Sequence, residues 1–410
     1  MTGALRVALL SYRAHPEVGG QGIYVRYLSE ALTRLGHQVT VFAGPPYPDL
    51  APGTGFVPVP SLDLYRPQDP FRRPKISELN SPIDLVEYGL MCAGAFPEPL
   101  TFSVRVARAL KLRTGSFDIV HDNQSLGYGL LRVARRVPLL TTIHHPISVD
   151  RTLALQREDR WDKRLQQRRW YSFIRMQRRV ARRLPMLLAV SESARQDSIR
   201  DFGVMPSRIA VVPNGIDAVL FRPLCEVERR KGRIVTVVSS DQASKGLDHL
   251  LEAVAKLRTE RDVELTVIGH GGLGRSFREG VARYNLKEAV SAPGRVDVLD
   301  MVKAYAEAEV AVIPSSYEGF SLPAVEAMAC GIPLVATTGG ALGEVVRDGG
   351  LTVPPGDAGA LAKAIAAIMD DRRLAESLAA RGRARAAEHF TWEAAAQATV
   401  ELYRRTIAAC

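Results

Sequence analysis

The chain has 410 residues, 46% apolar and 24% charged, with a formal net charge of +10. This length exceeds one core and suits two domains, and the composition is that of a globular enzyme, which excludes disordered and fibrous classes. No apolar run approaches the roughly 18 residues that a membrane span needs.

The opening MTGALRVALLSY reads as a first strand and not as a signal peptide, so the expected location is cytoplasmic. In chain order, the first half offers strands at Val7–Leu10, Gln38–Phe42, Ile119–His121, Leu139–Ile143, Met186–Val190 and Ile209–Val212. An amphipathic helix, Gly22–Leu35, joins the first two and stops at Gly36. The Pro/Gly-rich stretch Gly44 to Pro82 reads as irregular loop. The second half offers Ile234–Val238, Glu264–Ile268, Val310–Ile313, Leu334–Ala336 and Leu351–Val353, then a terminal helix from about Trp392 to Ala408. Short strands alternating with helices predict α/β architecture: two doubly wound Rossmann-like domains. The turn-rich PNGIDAVLFRP, Pro213 to Pro223, is the expected hinge. The boundaries follow as 1–217, 218–390 and a C-terminal helix at 391–410. Cys92, Cys225, Cys330 and Cys410 lack CxxC spacing. They read as small buried side chains in a reducing compartment, not as a zinc or disulfide framework.

The most informative segment is SSYEGFSLPAVEAMACG, Ser315 to Gly331. It follows an apolar strand, turns, and enters a helix with Ser321 placed as N-cap and Pro323 in the first turn. Such a helix start directs N–H groups and partial positive charge into the crevice at the strand ends, where phosphate binds. Glu318 lies just before this helix and Glu326 within it, seven residues intervening. Ionised carboxylates are pure acceptors, so beside a phosphate they suit sugar hydroxyls. A nucleotide carrying a sugar satisfies both requirements.

This segment resembles the signature of the retaining family-4 glycosyltransferases, whose twin-domain fold is called GT-B. Five further segments fall in the order that family shows: EVGGQGIYV from Glu17, TTIHHP from Thr141, VVPNGID from Val211, DQASKGLDHLLEA from Asp241, and VIGHGG from Val267 with PGRVD from Pro293. The resemblance implies an acceptor-binding first domain, a donor-binding second domain, transfer in the cleft between them, and a final helix that packs back on the first domain. It implies His144, Lys245 and Glu318 as catalytic residues. Gly20, Lys245, Arg295, Glu318, Gly319, Phe320, Ser321, Leu322 and Glu326 would bind the donor, with Glu326 on the ribose and Glu318 on the sugar. It implies no cofactor and no metal, the substrate being a nucleotide-sugar such as a UDP- or GDP-hexose. No Asp-x-Asp sequence occurs, in keeping with a metal-independent hexosyltransferase. The family usually has an Arg five or six positions before the lysine, where this chain has Ser240 and Ser239. That departure keeps open a catalytically silent homologue serving as a scaffold on nucleotide or membrane. A nucleotide-sugar epimerase on the same fold is a further alternative. Gly269, Gly271 and Gly274 match a dinucleotide fingerprint, but an acidic residue closing a second strand is missing.

The net charge is concentrated. Residues 151–183 hold twelve Arg or Lys against three Asp or Glu. Read as one helix, Arg157, Arg164, Arg168, Arg175, Arg179 and Arg182 share a stripe, with Trp170, Phe173, Val180, Ala181 and Leu184 opposite. The apolar side is expected in the core. The Arg side either faces solvent or meets a phosphate-bearing or lipid-linked acceptor, or an anionic membrane surface at the inner face of the cell membrane. Nucleic acid is not expected as a partner, because no recognised binding motif accompanies these arginines.

Overall fold

The computed structural model describes residues 3–15, 20–66, 68–113, 115–238, 243–269 and 274–409, except for the side chains of Arg157 and Ala243. The chain divides into two compact units, Met1–Val212 with Ala395–Cys410, and Pro213–Ala394.

The first unit is built on a parallel sheet of seven strands: β1 (Arg6–Ser11), β2 (Gln38–Ala43), β3 (Gly55–Pro58), β4 (Ile119–Asn123), β5 (Leu139–Ile143), β6 (Met186–Ala189) and β7 (Ile209–Val211). Their order is β3-β2-β1-β4-β5-β6-β7. The central strands are buried on both faces, as parallel sheets flanked by helices require, which is why they read as unbroken apolar runs. The second unit repeats the plan with six strands: β8 (Arg233–Val238), β9 (Glu264–Gly269), β10 (Val290–Gly294), β11 (Val310–Ile313), β12 (Leu334–Thr337) and β13 (Leu351–Val353), in the order β10-β9-β8-β11-β12-β13. In each sheet the chain winds outward from one central strand, then returns to that strand's other side. The resulting switch points, between β1 and β4 and between β8 and β11, open a crevice at the carboxyl ends of the strands.

The two strands absent from the sequence reading are both edges. β3 runs through the stretch read as irregular loop, and β10 ends on Pro293 and Gly294; both are largely exposed. With neither apolar continuity nor alternation, they are strands because a neighbour supplies backbone partners, Thr40 to Ala43 for β3 and Leu265 to Ile268 for β10. Cys92 and Cys225 also depart from expectation: they are exposed, and only Cys330 of the described cysteines is buried.

The basic segment is not one helix. It forms Ser148–Arg157, Trp161–Trp170 and Ile174–Ala181, with a 3-10 turn at Tyr171–Phe173. Glu158 and Arg160 adopt extended backbone and break the first helix from the second. Arg160 turns back to pair with Asp162 at 2.9 Å, in the first turn of the helix it precedes. The six-arginine stripe therefore does not share one helical face. Val180, Ala181 and Leu184 do enter the core, and Trp170 stacks into a cluster with Phe96 at 5.1 Å and Tyr65 at 5.4 Å. Among the described residues no helix is long and apolar enough to cross a membrane.

The terminal helix, Trp392–Ala408, brings Tyr403 against the first sheet, where its hydroxyl meets Nδ1 of buried His121 at 2.6 Å. Nε2 of the same ring meets the Thr142 hydroxyl at 2.7 Å. Burial pushes the His121 imidazole down to about 3, so it is neutral. Tyr403→Phe strands one buried ring nitrogen and should cost about 1–3 kcal/mol, read as a lower midpoint in urea denaturation. An unchanged midpoint would show that the hydroxyl contributes nothing to docking this helix.

Candidate functional site

In the second unit three loops leave the carboxyl ends of β8, β11 and β12 and lock together through their backbones. The 3-10 turn Ala243–Lys245 ends at Gly246, whose φ is +68° and on which a Cβ would lie 1.9 Å from the Pro314 carbonyl oxygen. Only glycine fits at this approach. The Ser316 N–H donates to the Ser244 carbonyl at 2.7 Å, and the Ala341 N–H donates to the Glu318 carbonyl at 2.8 Å. At Gly340, φ is +62° and a Cβ would lie 2.3 Å from that same Glu318 oxygen. The backbone of Glu318 is thus held on both sides before its side chain is considered.

That side chain meets Lys245. Nζ donates to Oε1 at 2.8 Å, and the Ser315 hydroxyl donates to the same oxygen at 2.7 Å. Both partners of the ion pair keep a minor share of solvent exposure. Oε2 accepts no hydrogen bond among the described residues. Lys245 and Glu318, 73 positions apart, are therefore neighbours at the switch point between β8 and β11.

The helix Leu322–Ala329 starts beside this pair, though not as expected from the sequence. Ser321 occupies the N-cap position with φ +84° and ψ +81°, and its side chain makes no capping bond. This backbone turns the hydroxyl away from the first turn, and the Oγ is buried with no partner among the described residues. A left-handed non-glycine residue and an orphaned buried hydroxyl each cost on the order of 1–3 kcal/mol, and such costs concentrate at functional sites. Gly319 and Phe320 are buried, and the Phe320 ring packs edge-on to Phe390 at 5.5 Å. Any ligand contact by Phe320 would thus be through its backbone. Leu322 is half-buried. Glu326, one turn into the helix, is buried with its carboxyl pushed up to about 8; burial is the main cause, and a hydrogen bond with Tyr305 opposes it. Arg295 is exposed, just beyond edge strand β10. In the sheet order β9 lies between β10 and β8.

In the first unit, His144 follows β5. Its Nε2 meets Asn123 Oδ1 at 2.7 Å, and its backbone N–H donates to Gln124 Oε1 at 2.5 Å. Asn123 Nδ2 points the other way, to the Ser11 hydroxyl and the Gln21 carbonyl, each at 3.3 Å. That orientation makes Oδ1 an acceptor, so Nε2 carries the proton and Nδ1 is left as an acceptor. The Tyr24 ring lies edge-on to the imidazole at 4.9 Å. Burial, then His145 and His121, push His144 down to about 3, so the ring is neutral. His145 is turned to Asp150 at 2.8 Å. Gly20 is exposed at the start of the helix Gly20–Arg34.

Glu17–Gly19, Ser239 and Ser240, Asp241 and Gln242, and His270–Gly272 lie outside the described residues. Among those described, no group of three or more His, Cys, Asp or Glu could hold a metal ion. Sequence reasoning missed Ser315, Asn123 and Gln124. Ser315 carried a signal, a hydroxyl three residues before the first signature Glu; Asn123 carried none beyond ending a strand, and Gln124 carried none.

Residues 18–220 match the family described as Glycosyltransferase Family 4, and residues 226–385 match Glycosyl transferases group 1. An MMP alpha-(1->4)-mannosyltransferase from Mycolicibacterium hassiacum is 46% identical, the match covering 98% of this chain and 99% of that protein. Among solved structures, the sucrose-phosphate synthase (tll1590) from Thermosynechococcus elongatus superposes with a TM-score of 0.75 at 26% identity, covering 99% of this chain and 100% of the other. Anabaena Alr3699/HepE in complex with UDP-glucose gives a TM-score of 0.69 at 17% identity, covering 98% and 100%, a likeness of fold.

The raised Glu326 carboxyl makes a signed prediction. Between its ordinary value near 4.5 and about 8 the folded chain holds a proton that the unfolded chain has lost, so this residue's contribution to stability falls as pH rises through that window. Between about pH 6 and pH 9 the Glu326→Gln variant should gain on the order of 2 kcal/mol relative to wild type, read by thermal or urea unfolding at both pH values. A wild-type–variant gap that is the same at both would mean that Glu326 titrates normally.

Proposed function

The chain belongs to the family-4 glycosyltransferases, and on that premise we propose that it moves a hexose, mannose in the first instance, from a nucleotide-sugar donor to an acceptor hydroxyl with retention of anomeric configuration. One observation carries this reading: a lysine and a carboxylate paired at a switch point, beside a helix start whose buried N-cap hydroxyl has no partner among the described residues. The 46% identity to a mannosyltransferase supports the sugar. The family resemblance, together with the UDP-glucose held by a protein of the same fold, supports the donor class.

On this reading the diphosphate takes Lys245 from Glu318. The doubly charged group offers the ammonium a stronger partner than a single carboxylate. The Ser321 hydroxyl and the Leu322 N–H complete its cradle, with backbone of Gly319 and Phe320 beside them, so the orphaned hydroxyl gains a use. Glu318, released from the lysine, turns both oxygens toward sugar hydroxyls. Glu326 takes the ribose hydroxyls; at neutral pH it holds its proton and can donate as well as accept. His144, neutral and fixed by Asn123, offers Nδ1 as an acceptor to the sugar. Gly20 and Arg295 serve as flanking contacts, the former through backbone and the latter near the base. Departure of the nucleoside diphosphate leaves an oxocarbenium-like sugar, attacked by the acceptor hydroxyl on the face the leaving group vacates. Lys245 and the helix start stabilise the developing diphosphate charge, a role that needs no metal.

Lys245→Ala and Glu318→Ala should each lower kcat/KM by about 30- to 1,000-fold, the loss of about 2–4 kcal/mol typical of a missing charge-stabilising group. The double variant should lose less than the product of the two, because the residues share one interaction. Release of nucleoside diphosphate with a mannoside acceptor measures this, and near wild-type rates in both single variants would place the chemistry elsewhere. Across a panel of nucleotide sugars, a GDP- or UDP-hexose at about 100 times its Kd should stabilise the fold by about 2.7 kcal/mol, seen as a raised Tm. A panel with no stabilising member would remove the donor assignment.

A further inference from the structure

The broken basic segment builds a cavity to which none of the residues assigned to catalysis or the donor contributes. It lies in the first unit, has a volume of about 720 Å³, and is walled by Arg151, Arg164, Arg168, Arg169 and Arg175. Leu155, Leu165 and the Tyr171 ring supply apolar surface, and no carboxylate lines it. The kink at Glu158–Arg160 makes this possible: it folds the helix Trp161–Trp170 back beside Ser148–Arg157, so arginines from three helical pieces converge on one space.

A second cavity of the first unit, lined by Arg108, Lys111, Arg132, Arg135 and Arg136, is also basic; here an aromatic ring, Tyr171, joins the arginines. Some arginines elsewhere are matched to carboxylates: Arg6 to Asp118 at 2.6 Å, Arg13 to Glu98 at 2.6 Å, Arg105 to Asp84 at 2.6 Å, Arg261 to Asp370 at 2.8 Å. None of the five cavity guanidiniums has an ion pair or hydrogen bond among the described residues. A solvated helical face would interleave acids to relieve the repulsion, as the helix Arg372–His389 does with Arg372 and Glu376 at 2.7 Å. Here five like charges share one space with no acid among its lining residues, so water and counterions offset them until an anionic ligand does. Arginine presents a planar fork of donors matched to phosphate oxygens, and several forks around one cavity recognise a group of more than one negative charge. The volume suits a small organic body attached to that group, and the Tyr171 ring with two leucines gives such a body an apolar wall.

We propose that this cavity is a binding site for a phosphate-bearing ligand, held by the guanidinium groups of Arg151, Arg164, Arg168, Arg169 and Arg175. The phosphate belongs either to a soluble molecule or to the headgroup of an anionic lipid. In the second case the exposed Trp161 and Leu165 would lie at the membrane interface. The site is independent of the donor assignment, since it binds without transfer.

The test uses the full chain without nucleotide sugar and two charge-reversed variants. Arg164→Glu with Arg168→Glu removes two exposed walls of the cavity. Arg135→Glu with Arg136→Glu makes the same change in net charge at a second basic cavity of about 460 Å³, between the helix Glu98–Lys111 and the segment around Arg132. Titration calorimetry with pyrophosphate and a sugar 1-phosphate reads the soluble source. Sedimentation with phosphatidylglycerol–phosphatidylcholine vesicles reads the lipid source, and circular dichroism checks that both variants fold. We expect saturable binding of one probe class that falls at least ten-fold in the first variant and less than two-fold in the second. Added salt should weaken it more in wild type than in the first variant. Binding of the soluble phosphates assigns a soluble ligand; binding of vesicles alone assigns the headgroup. Absence of saturable binding to either class, or an equal loss in both variants, overturns the site.

Discussion

The close approach of backbones at the carboxyl end of the second sheet is the constraint on which the second unit's candidate site depends. Gly246 touches the Pro314 carbonyl and Gly340 straddles the backbone of Glu318 at distances that no Cβ tolerates. Two short loops are thereby pressed together, and with them Lys245 and Glu318. The ion pair by itself would be worth little, because both partners retain some solvent and surface pairs are weak. Its value is positional. A lysine and a carboxylate held by glycine-tight turns are oriented before any ligand arrives, and Oε2 and the Ser321 hydroxyl, without hydrogen-bond partners among the described residues, leave capacity beside them.

The first unit uses the same topology for different chemistry. Its switch point, between β1 and β4, gathers neutral polar groups in two hydrogen-bonded runs, Tyr403–His121–Thr142–Tyr24 and Ser11–Asn123–His144. Burial holds both histidines neutral, so this side presents fixed tautomers, not charge. Each member locks the next: Asn123 is oriented by Ser11 and Gln21, and in turn fixes which nitrogen of His144 carries the proton. Networks of this kind specify one arrangement because any single flip strands a buried group.

The basic segment shows how a local break redirects charge. One long amphipathic helix would have spread its arginines along a face open to solvent. Extended backbone at Glu158 and Arg160 folds that face upon itself, and the aromatic cluster of Trp170, Phe96 and Tyr65 anchors the returning helix. Repulsion among the arginines opposes this fold, and burial of the aromatic and aliphatic side chains offsets it.

The sequence by itself determined the α/β class, the buried strands and the Glu-flanked helix, because these rest on local patterns. Continuous apolar runs report burial on both sheet faces, and β5, β11 and β13 coincide with their predicted limits. Lys245, Glu318 and His144 were singled out by motif order, though their surroundings were not. Only the tertiary structure decided that Lys245 and Glu318 form a pair, that Ser321 forgoes its cap, that Asn123 sets the His144 tautomer, and that the arginines converge on a cavity. Each of these depends on contacts between residues distant in the chain or on a backbone angle imposed by neighbours. Edge strands β3 and β10 were missed for the same reason: an edge is defined by the strand beside it, and no periodicity within five residues records a partner's hydrogen bonds.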